Sequence, residues 1–371
     1  MAGQGRKRMW WLLIVPGVVV AGLWAYLQHP KFGTLPSCEH LATLEASDHY
    51  GEEGFHNRVE TPMFAEEASM ASVLIGNLSD KSERLRPERA IPALDTDLRA
   101  LDVDEDIVVW LGHSSYYAQL GGKRFLIDPV FSDSAAPVPF VNRAFAGTNG
   151  YGAEDMPPID VLLITHDHWD HLDYPSVMAL KGRVDRVITG LGVGAYFEGW
   201  GFDFDRISEG NWFDAIALDG DTTLHLIPAR HYSGRLLKRD RTLWTGFVLE
   251  TPRCRLLFSG DTGDGPHFEE IAQRFDGFDL VSLDHGQYDA RWPYIHMTPE
   301  QAADAADRLG ARALISAHVG KFTLARHAWD EPMQRISAAS EGRDYRLLTP
   351  VIGEPVRLSR DASQSFEAWW E

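Results

Sequence analysis

Val161-Leu162-Leu163-Ile164-Thr165-His166-Asp167-His168-Trp169-Asp170-His171 runs from an apolar tetrad straight into a cluster of imidazoles and carboxylates. The tetrad reads as a buried strand, which places the polar cluster on the loop at its C-terminal end, where binding sites are commonly built. Nitrogen and oxygen donors at these spacings can clasp one or two divalent cations, and Zn²⁺ is the usual match for an imidazole-rich set. The alternative is a solvated polar loop with incidental histidines. Such loops seldom carry this much imidazole at a strand end.

Outward from that stretch the pattern stays regular. Ile107 to Leu111 is an apolar strand, and the segments 115–120 and 123–127 form a hairpin around Gly121-Gly122. Further strands are expected at 161–164, 186–189, 222–227, 244–249, 254–258, 279–283 and 312–316, with helices over 175–181, 266–275, 298–309 and 330–340. Thr298-Pro299 opens the third helix with a capping residue followed by proline in the first turn. Early hairpins followed by alternating strands and helices predict an α/β fold in which two mixed sheets pack face to face with helices outside. Gly190-Leu191-Gly192-Val193-Gly194 lacks the dinucleotide-binding spacing and reads as a plain loop.

The chain has 371 residues, enough for a full core. Its 35 basic and 54 acidic residues give a formal charge of −19, a field that repels phosphate backbones and argues against a nucleic-acid partner. Cys38 and Cys254 alone make neither a zinc ribbon nor a disulfide framework, and they read as unpaired thiols. Arg6-Lys7-Arg8 precede an uncharged stretch from Met9 to Leu27, which at ~1.5 Å per residue is about long enough to cross a bilayer. Trp10, Trp11, Trp24 and Tyr26 lie at its ends, and the basic flank predicts a cytoplasmic N-terminus. A cleaved signal peptide is the competing reading, without a good small-x-small site after the apolar run. The organisation expected is an anchor over 1–30, an extension over 31–104 packed on the main domain, a catalytic domain over 105–360 and a tail over 361–371.

Three more metal-competent residues follow apolar strands: His231, Asp261 and His318. Singly they also read as a surface histidine, a turn aspartate and a satisfied core histidine. Together with the first cluster they supply one further carboxylate and two further imidazoles, as a paired-metal site needs. In this combination the sequence resembles the metallo-β-lactamase superfamily, through Thr165 to Asp173, Ser259-Gly260-Asp261-Thr262 and the spaced His231 and His318. Trp110-Leu111-Gly112-His113-Ser114-Ser115, Ile127-Asp128-Pro129-Val130-Phe131-Ser132 and Ala317-His318-Val319-Gly320-Lys321-Phe322-Thr323-Leu324 are similar to one branch of it. That branch contains the N-acyl-phosphatidylethanolamine-hydrolysing phospholipase D and its bacterial relatives, and the similarity runs over about residues 31 to 340.

The resemblance implies an αββα sandwich carrying two Zn²⁺ ions, with Mn²⁺ or Fe²⁺ also compatible. One ion would be held by His166, His168 and His231, the other by Asp170, His171 and His318, with Asp261 bridging. Trp169 stands where the phospholipase resemblance implies a substrate-facing tyrosine, so the headgroup preference does not carry over. His296 is implied to contact substrate, stabilising a phosphate oxygen or assisting the leaving group; it also reads as a helix-entry residue. His113, Asp128 and Asp173 could hold ligands in orientation, or serve as a backbone-bonded histidine and turn aspartates. Two ions sharing a water would bring its pKa from about 15.7 towards about 7 and supply a hydroxide, with Asp170 orienting it. The expected activity is hydrolysis of a lipid-like phosphodiester at the outer face of the bacterial inner membrane. A lactonase or other carbonyl-directed hydrolase and a non-catalytic metal-binding envelope protein are the competing readings. A homodimer is suggested only by the resemblance.

Overall fold

The computed structural model describes residues 3–79, 84–235, 238–358 and 364–371, without the side chains of residues 3–14, 74 and 77–79. The N-terminal region comprises α1 (Gly3–Leu27), α2 (Cys38–Glu45), the ribbon of β1 (Tyr50–Gly51) and β2 (Gly54–Phe55), and α3 (Met70–Ser79). Among the described residues no helix is long and apolar enough to cross a membrane. The expected span from Met9 to Leu27 lies partly outside the residues whose side chains are described, so the structure does not carry the anchor. Where α1 is described, Val18, Val19, Val20, Leu23 and Trp24 are exposed. Cys38 and Cys254 are both free thiols.

From Ile107 the chain builds β3 (Ile107–Trp110), β4 (Tyr116–Leu120), β5 (Lys123–Ile127), β6 (Ile159–Ile164), α4 (Tyr174–Leu180), β7 (Val184–Gly190), α5 (Gly194–Gly199) and β8 (Ile207–Gly210). It continues with β9 (Ala215–Ala217), β10 (Thr223–Ile227), β11 (Gly246–Glu250), β12 (Arg255–Phe258), α6 (His267–Arg274), β13 (Leu280–Asp284), α7 (Pro299–Arg308), β14 (Ala313–Ala317), α8 (Glu331–Ala339), β15 (Arg346–Leu348) and β16 (Pro355–Arg357). The β4–β5 hairpin turns on Gly121 and Gly122, both at positive φ, the geometry a two-residue connection requires.

Two seven-stranded sheets result, ordered β16-β3-β4-β5-β6-β7-β8 and β9-β10-β11-β12-β13-β14-β15. Each begins with three antiparallel pairings and ends with three parallel ones. The expected pair of mixed sheets is therefore present. Period-two alternation fixes which side chains meet in the middle. In the second sheet Phe247, Leu249, Leu256 and Phe258 join the core shared with the first, whereas Val248, Leu257, Val281 and Leu314 face α6 and α7. The outer helix α7 opens with the Thr298–Gln301 capping box and Pro299 in its first turn, and it packs through Ala302, Ala303, Ala305 and Ala306.

In the two large sheets the strands without a counterpart in the sequence pattern are β8, β9, β15 and β16, all at sheet ends. They are short and only partly buried, so they lack the apolar run that identifies a central strand. At the far end of the tail Trp369 and Trp370 are buried, with the Trp369 ring 5.7 Å from that of Trp110 on β3. At the site end the sheets are tied across their mouths. His113 donates its N–H to the Val319 carbonyl and accepts from the His318 N–H, each at 3.2 Å.

Candidate metal centre

Every candidate ligand sits just beyond the C-terminal end of a strand. The loop after β6 supplies His166, His168, Asp170 and His171; His231 follows β10, Asp261 follows β12 and His318 follows β14. Converging strand ends bring these distant residues within bonding range of common points.

One group contains His166, His168, His231 and Asp261. His168 Nδ1 lies 2.9 Å from His166 Nε2 and 3.2 Å from His231 Nε2, and Asp261 Oδ2 is 3.7 Å from both Nε2 atoms. Three ring nitrogens and a carboxylate oxygen gathered this closely make a donor set that would suit a divalent cation. The second group joins Asp170, His171 and His318, and Asp261 reaches it through its other oxygen. Asp261 Oδ1 is 3.0 Å from His171 Nε2 and 3.1 Å from His318 Nδ1, while Asp170 Oδ2 is 3.5 Å from His171 Nε2. The two oxygens of Asp261 thus face different groups, as a bridging carboxylate must. His171 Nε2 and Asp261 Oδ1 are buried without a hydrogen-bond partner, atoms that a metal would satisfy. The donor set fits a pair of divalent ions.

Electrostatics agree with that fit. Burial holds His166, His231 and His318 well below the usual imidazole range and lowers His168, keeping them in the neutral form that ligates. Burial alone would raise Asp170 and Asp261, but His171 and its neighbouring imidazoles hold both carboxyls well below the ordinary range. His171 goes the other way: burial opposes its charge, yet Asp261, Asp170 and Asp128 raise it.

The supporting residues separate clearly. Asp128 Oδ2 accepts from His171 Nδ1 at 2.7 Å and is held by the Thr165 N–H and hydroxyl. His113 Nε2 is 2.9 Å from Asp170 Oδ2. Both therefore contact a candidate ligand and fix its orientation. Asp173 does not share that arrangement. It is the N-cap of α4, and its carboxylate is taken up by Ser132 and Ser176, so the supporting role considered for it is corrected to helix capping. His113, Asp128 and His318 all hold positive φ, strained backbone concentrated where these side chains must be aimed.

Asp170, Asp261, His168, His296 and His318 line a cavity of about 360 Å³, together with Trp169. The Trp169 indole N–H donates to the Arg235 carbonyl, and the Arg235 guanidinium lies 3.9 Å from its ring. His296 stacks on His318 with ring centroids 4.9 Å apart and planes at 12°. Its Nδ1 is 2.8 Å from Asp284 Oδ2. Burial pushes the Asp284 carboxyl up to about 7; burial lowers His296, but Asp284 more than reverses this.

Two groups of residues escaped the sequence reading. Asp284 ends β13 after an apolar run, the same signal that singled out Asp261 and His318. The extension also reaches the site. The Asn57 amide donates to the His231 carbonyl at 2.7 Å, the His231 N–H donates back to Asn57 Oδ1 at 3.1 Å, and Met63, Phe64, Met70 and Val73 wall the cavity. No periodicity in residues 31–104 marks them.

Comparison with known proteins is consistent with this geometry. Residues 123–319 match the Beta-lactamase superfamily domain. An uncharacterised protein of Mycobacterium tuberculosis is 34% identical over 334 residues, covering 89% of each chain. N-acyl-phosphatidylethanolamine-hydrolyzing phospholipase D 1 of Caenorhabditis elegans is 28% identical over 267 residues, 66% of this chain and 74% of that protein. Among solved structures, CmlA, a diiron β-hydroxylase from Streptomyces venezuelae, aligns at a TM-score of 0.53 and 20% identity over 68% of this chain and 54% of its own, a likeness of fold alone.

Proposed function

The chain belongs to the metallo-β-lactamase superfamily of metal-dependent hydrolases, and on that premise we propose that it is a zinc-dependent phosphodiesterase acting on a lipid-like substrate. The observation that carries this reading is the cavity. The donor cluster opens into a space that combines apolar walls from Met63, Phe64, Val73 and Trp292 with the cationic side chain of Arg239. An anionic phosphodiester with an apolar tail matches both features, and the likeness to the nematode phospholipase supports the substrate class.

His166, His168 and His231 would hold one ion, Asp170, His171 and His318 the other, with Asp261 shared. Such a pair, when bound, lowers the pKa of a shared water and takes up negative charge on the reacting oxygens. The protein's own part is positioning. Asp128 orients His171 and His113 orients Asp170, and these four side chains are themselves buried. His296 faces the same cavity and assists the leaving oxygen. The fold by itself does not choose the metal or the chemistry, since the diiron CmlA shares it.

We place the catalytic domain at the outer face of the bacterial inner membrane, held by the uncharged stretch from Met9 to Leu27 behind Arg6-Lys7-Arg8. Alkaline extraction of membranes tests this: full-length protein released into the soluble fraction would exclude the anchor.

The activity is tested by assaying metal-analysed protein in parallel on N-acyl-phosphatidylethanolamine, a generic phosphodiester, a lactone and a β-lactam. Phosphodiester turnover that disappears on chelation and returns with Zn²⁺ is the expected result. Turnover of the lactone or β-lactam alone would replace this reading with a carbonyl-directed hydrolase, and no turnover with metal bound would favour a binding protein.

A further inference from the structure

Asp284 is a fully buried carboxylate that belongs to none of the three groups of metal-competent residues, the third of which joins Asp261, His296 and His318. It terminates β13, and every bond on its oxygens is accounted for. Oδ2 accepts the Thr262 N–H at 3.2 Å and faces His296 Nδ1 at 2.8 Å, while Oδ1 accepts the Gly286 N–H at 3.2 Å. A buried carboxylate is costly unless a counter-charge and hydrogen bonds surround it. Here His296 is the side chain that supplies the counter-charge.

The consequence falls on His296. Nδ1 faces an oxygen that already accepts the Thr262 N–H, so the hydrogen bond between them is made with the proton on Nδ1, which fixes the tautomer of the ring. The ring cannot swing away either, because it is stacked on His318 and lies edge-on to His231 with centroids 5.1 Å apart. Nε2 is left as the ring nitrogen available to the cavity that His296 lines. A histidine oriented by a buried carboxylate beside a reacting centre is the arrangement that proton-transfer catalysis uses on unrelated folds.

We propose that Asp284 is a positioning residue that holds His296 with Nδ1–H on the carboxylate and Nε2 on the leaving oxygen, so that the pair protonates the departing alcohol. This rests on the hydrolase reading above. In the step, hydroxide forms the new bond to phosphorus while the bond to the leaving oxygen breaks and its electron pair stays on that oxygen. Nε2–H passes its proton to the oxygen, giving a neutral alcohol and a neutral imidazole that still donates Nδ1–H to Asp284. The imidazole regains its proton from solvent before the next turnover.

A poor leaving group needs that proton and a good one does not, which separates this role from a merely structural one. The test compares wild type, Asp284→Ala, Asp284→Glu, His296→Ala and the double Asp284→Ala/His296→Ala variant. Each is assayed on a dialkyl phosphodiester and on a diester that releases 4-nitrophenolate. Loss of a general acid is expected to cost on the order of 10²-fold or more on the dialkyl ester and only a few-fold on the aryl ester. Asp284→Ala should add nothing further once His296 is gone, because residues acting as one unit are not additive. Asp284→Glu should restore part of the alkyl activity. Equal losses on both esters, or a full additional loss in the double variant, would overturn the proposal and leave Asp284 a structural carboxylate.

Two readouts do not depend on turnover. ¹⁵N NMR of metal-free wild type should show His296 protonated at Nδ1, a signature that Asp284→Ala removes; an unprotonated Nδ1 would sink the proposal whatever the substrate. Bound metal in His296→Ala should equal that of wild type. A loss would make His296 a ligand through its group with Asp261 and His318 and would overturn its role as the acid. If wild type cleaves neither diester but opens a lactone, the substrate reading fails. The tautomer and metal measurements still decide the Asp284–His296 pair.

Discussion

Asp128 follows β5, the fourth strand of its sheet counted from β16, and Asp261 follows β12, the fourth strand of the other sheet counted from β9. His113 and His231 are matched in the same way beyond β3 and β10. Both aspartates and both histidines are buried within the same centre. Their duties differ nonetheless. Asp261 and His231 point their donor atoms into the metal-competent groups, whereas Asp128 bonds to His171 and His113 bonds to Asp170. His113 also lies within the range of the second group, but its Nε2 is engaged by the carboxylate of Asp170, itself a candidate ligand. The same strand-end position can therefore bind a metal directly or act one residue further out. The choice follows from which neighbouring loop already fills the centre: in the first sheet the loop after β6 does so with four candidates within six residues, and Asp128 and His113 lie behind them.

The largest test of this difference is the aspartate pair. Asp261→Asn removes a charge facing both groups. It should lower kcat/KM by about 10³-fold or more and cost bound metal, read by elemental analysis alongside turnover. Asp128→Asn, at the matched position, should lose only about 10- to 100-fold, with metal stoichiometry recovered at high Zn²⁺. Equal losses from the two would erase the distinction between binding and supporting residues. The histidine pair gives a smaller contrast. His231→Ala should lose one ion of the pair, while His113→Ala should keep both and weaken affinity by about 10-fold, measured by competition with a chelating dye. If His113→Ala instead loses an ion outright, His113 moves from support to ligand. Smallest is Trp169→Tyr, inside the contiguous loop but against Arg235 and the cavity rather than the metal groups. It should shift KM a few-fold and leave metal content unchanged, the pattern for a change in uniform substrate binding. A change in metal content would mean that the loop's wall and its ligands are not separable.

Legibility in the sequence followed contiguity. The loop after β6 was readable because its donors and the apolar strand feeding them occupy eleven consecutive residues. Asp261, His231 and His318 were readable one step more weakly, each as a polar residue after an apolar strand. Asp284 satisfies that same rule and was missed, because a lone aspartate after a strand also fits an ordinary turn. Its value depends on His296, which returns to it after the loop that precedes α7. Asp173 shows the converse. It sits two residues past the last candidate ligand of the loop, yet the local chain has a nearer use for it as a helix cap. Asn57 and the apolar wall from Met63 to Val73 carried no signal, since an irregular extension has no period from which to infer a face.

The sequence alone determined the donor types, the strand that delivers the first four, the central strands of both sheets and the superfamily, because these depend on residue identity and short spacing. Only the tertiary structure shows which matched positions face the metal-competent groups and which bond to other candidate ligands, and that His296 Nδ1 faces Asp284. It also decided that the extension closes the site around His231. Those outcomes depend on distances between loops that are remote in sequence, and such distances are fixed by how two twisted sheets pack, which no local pattern encodes.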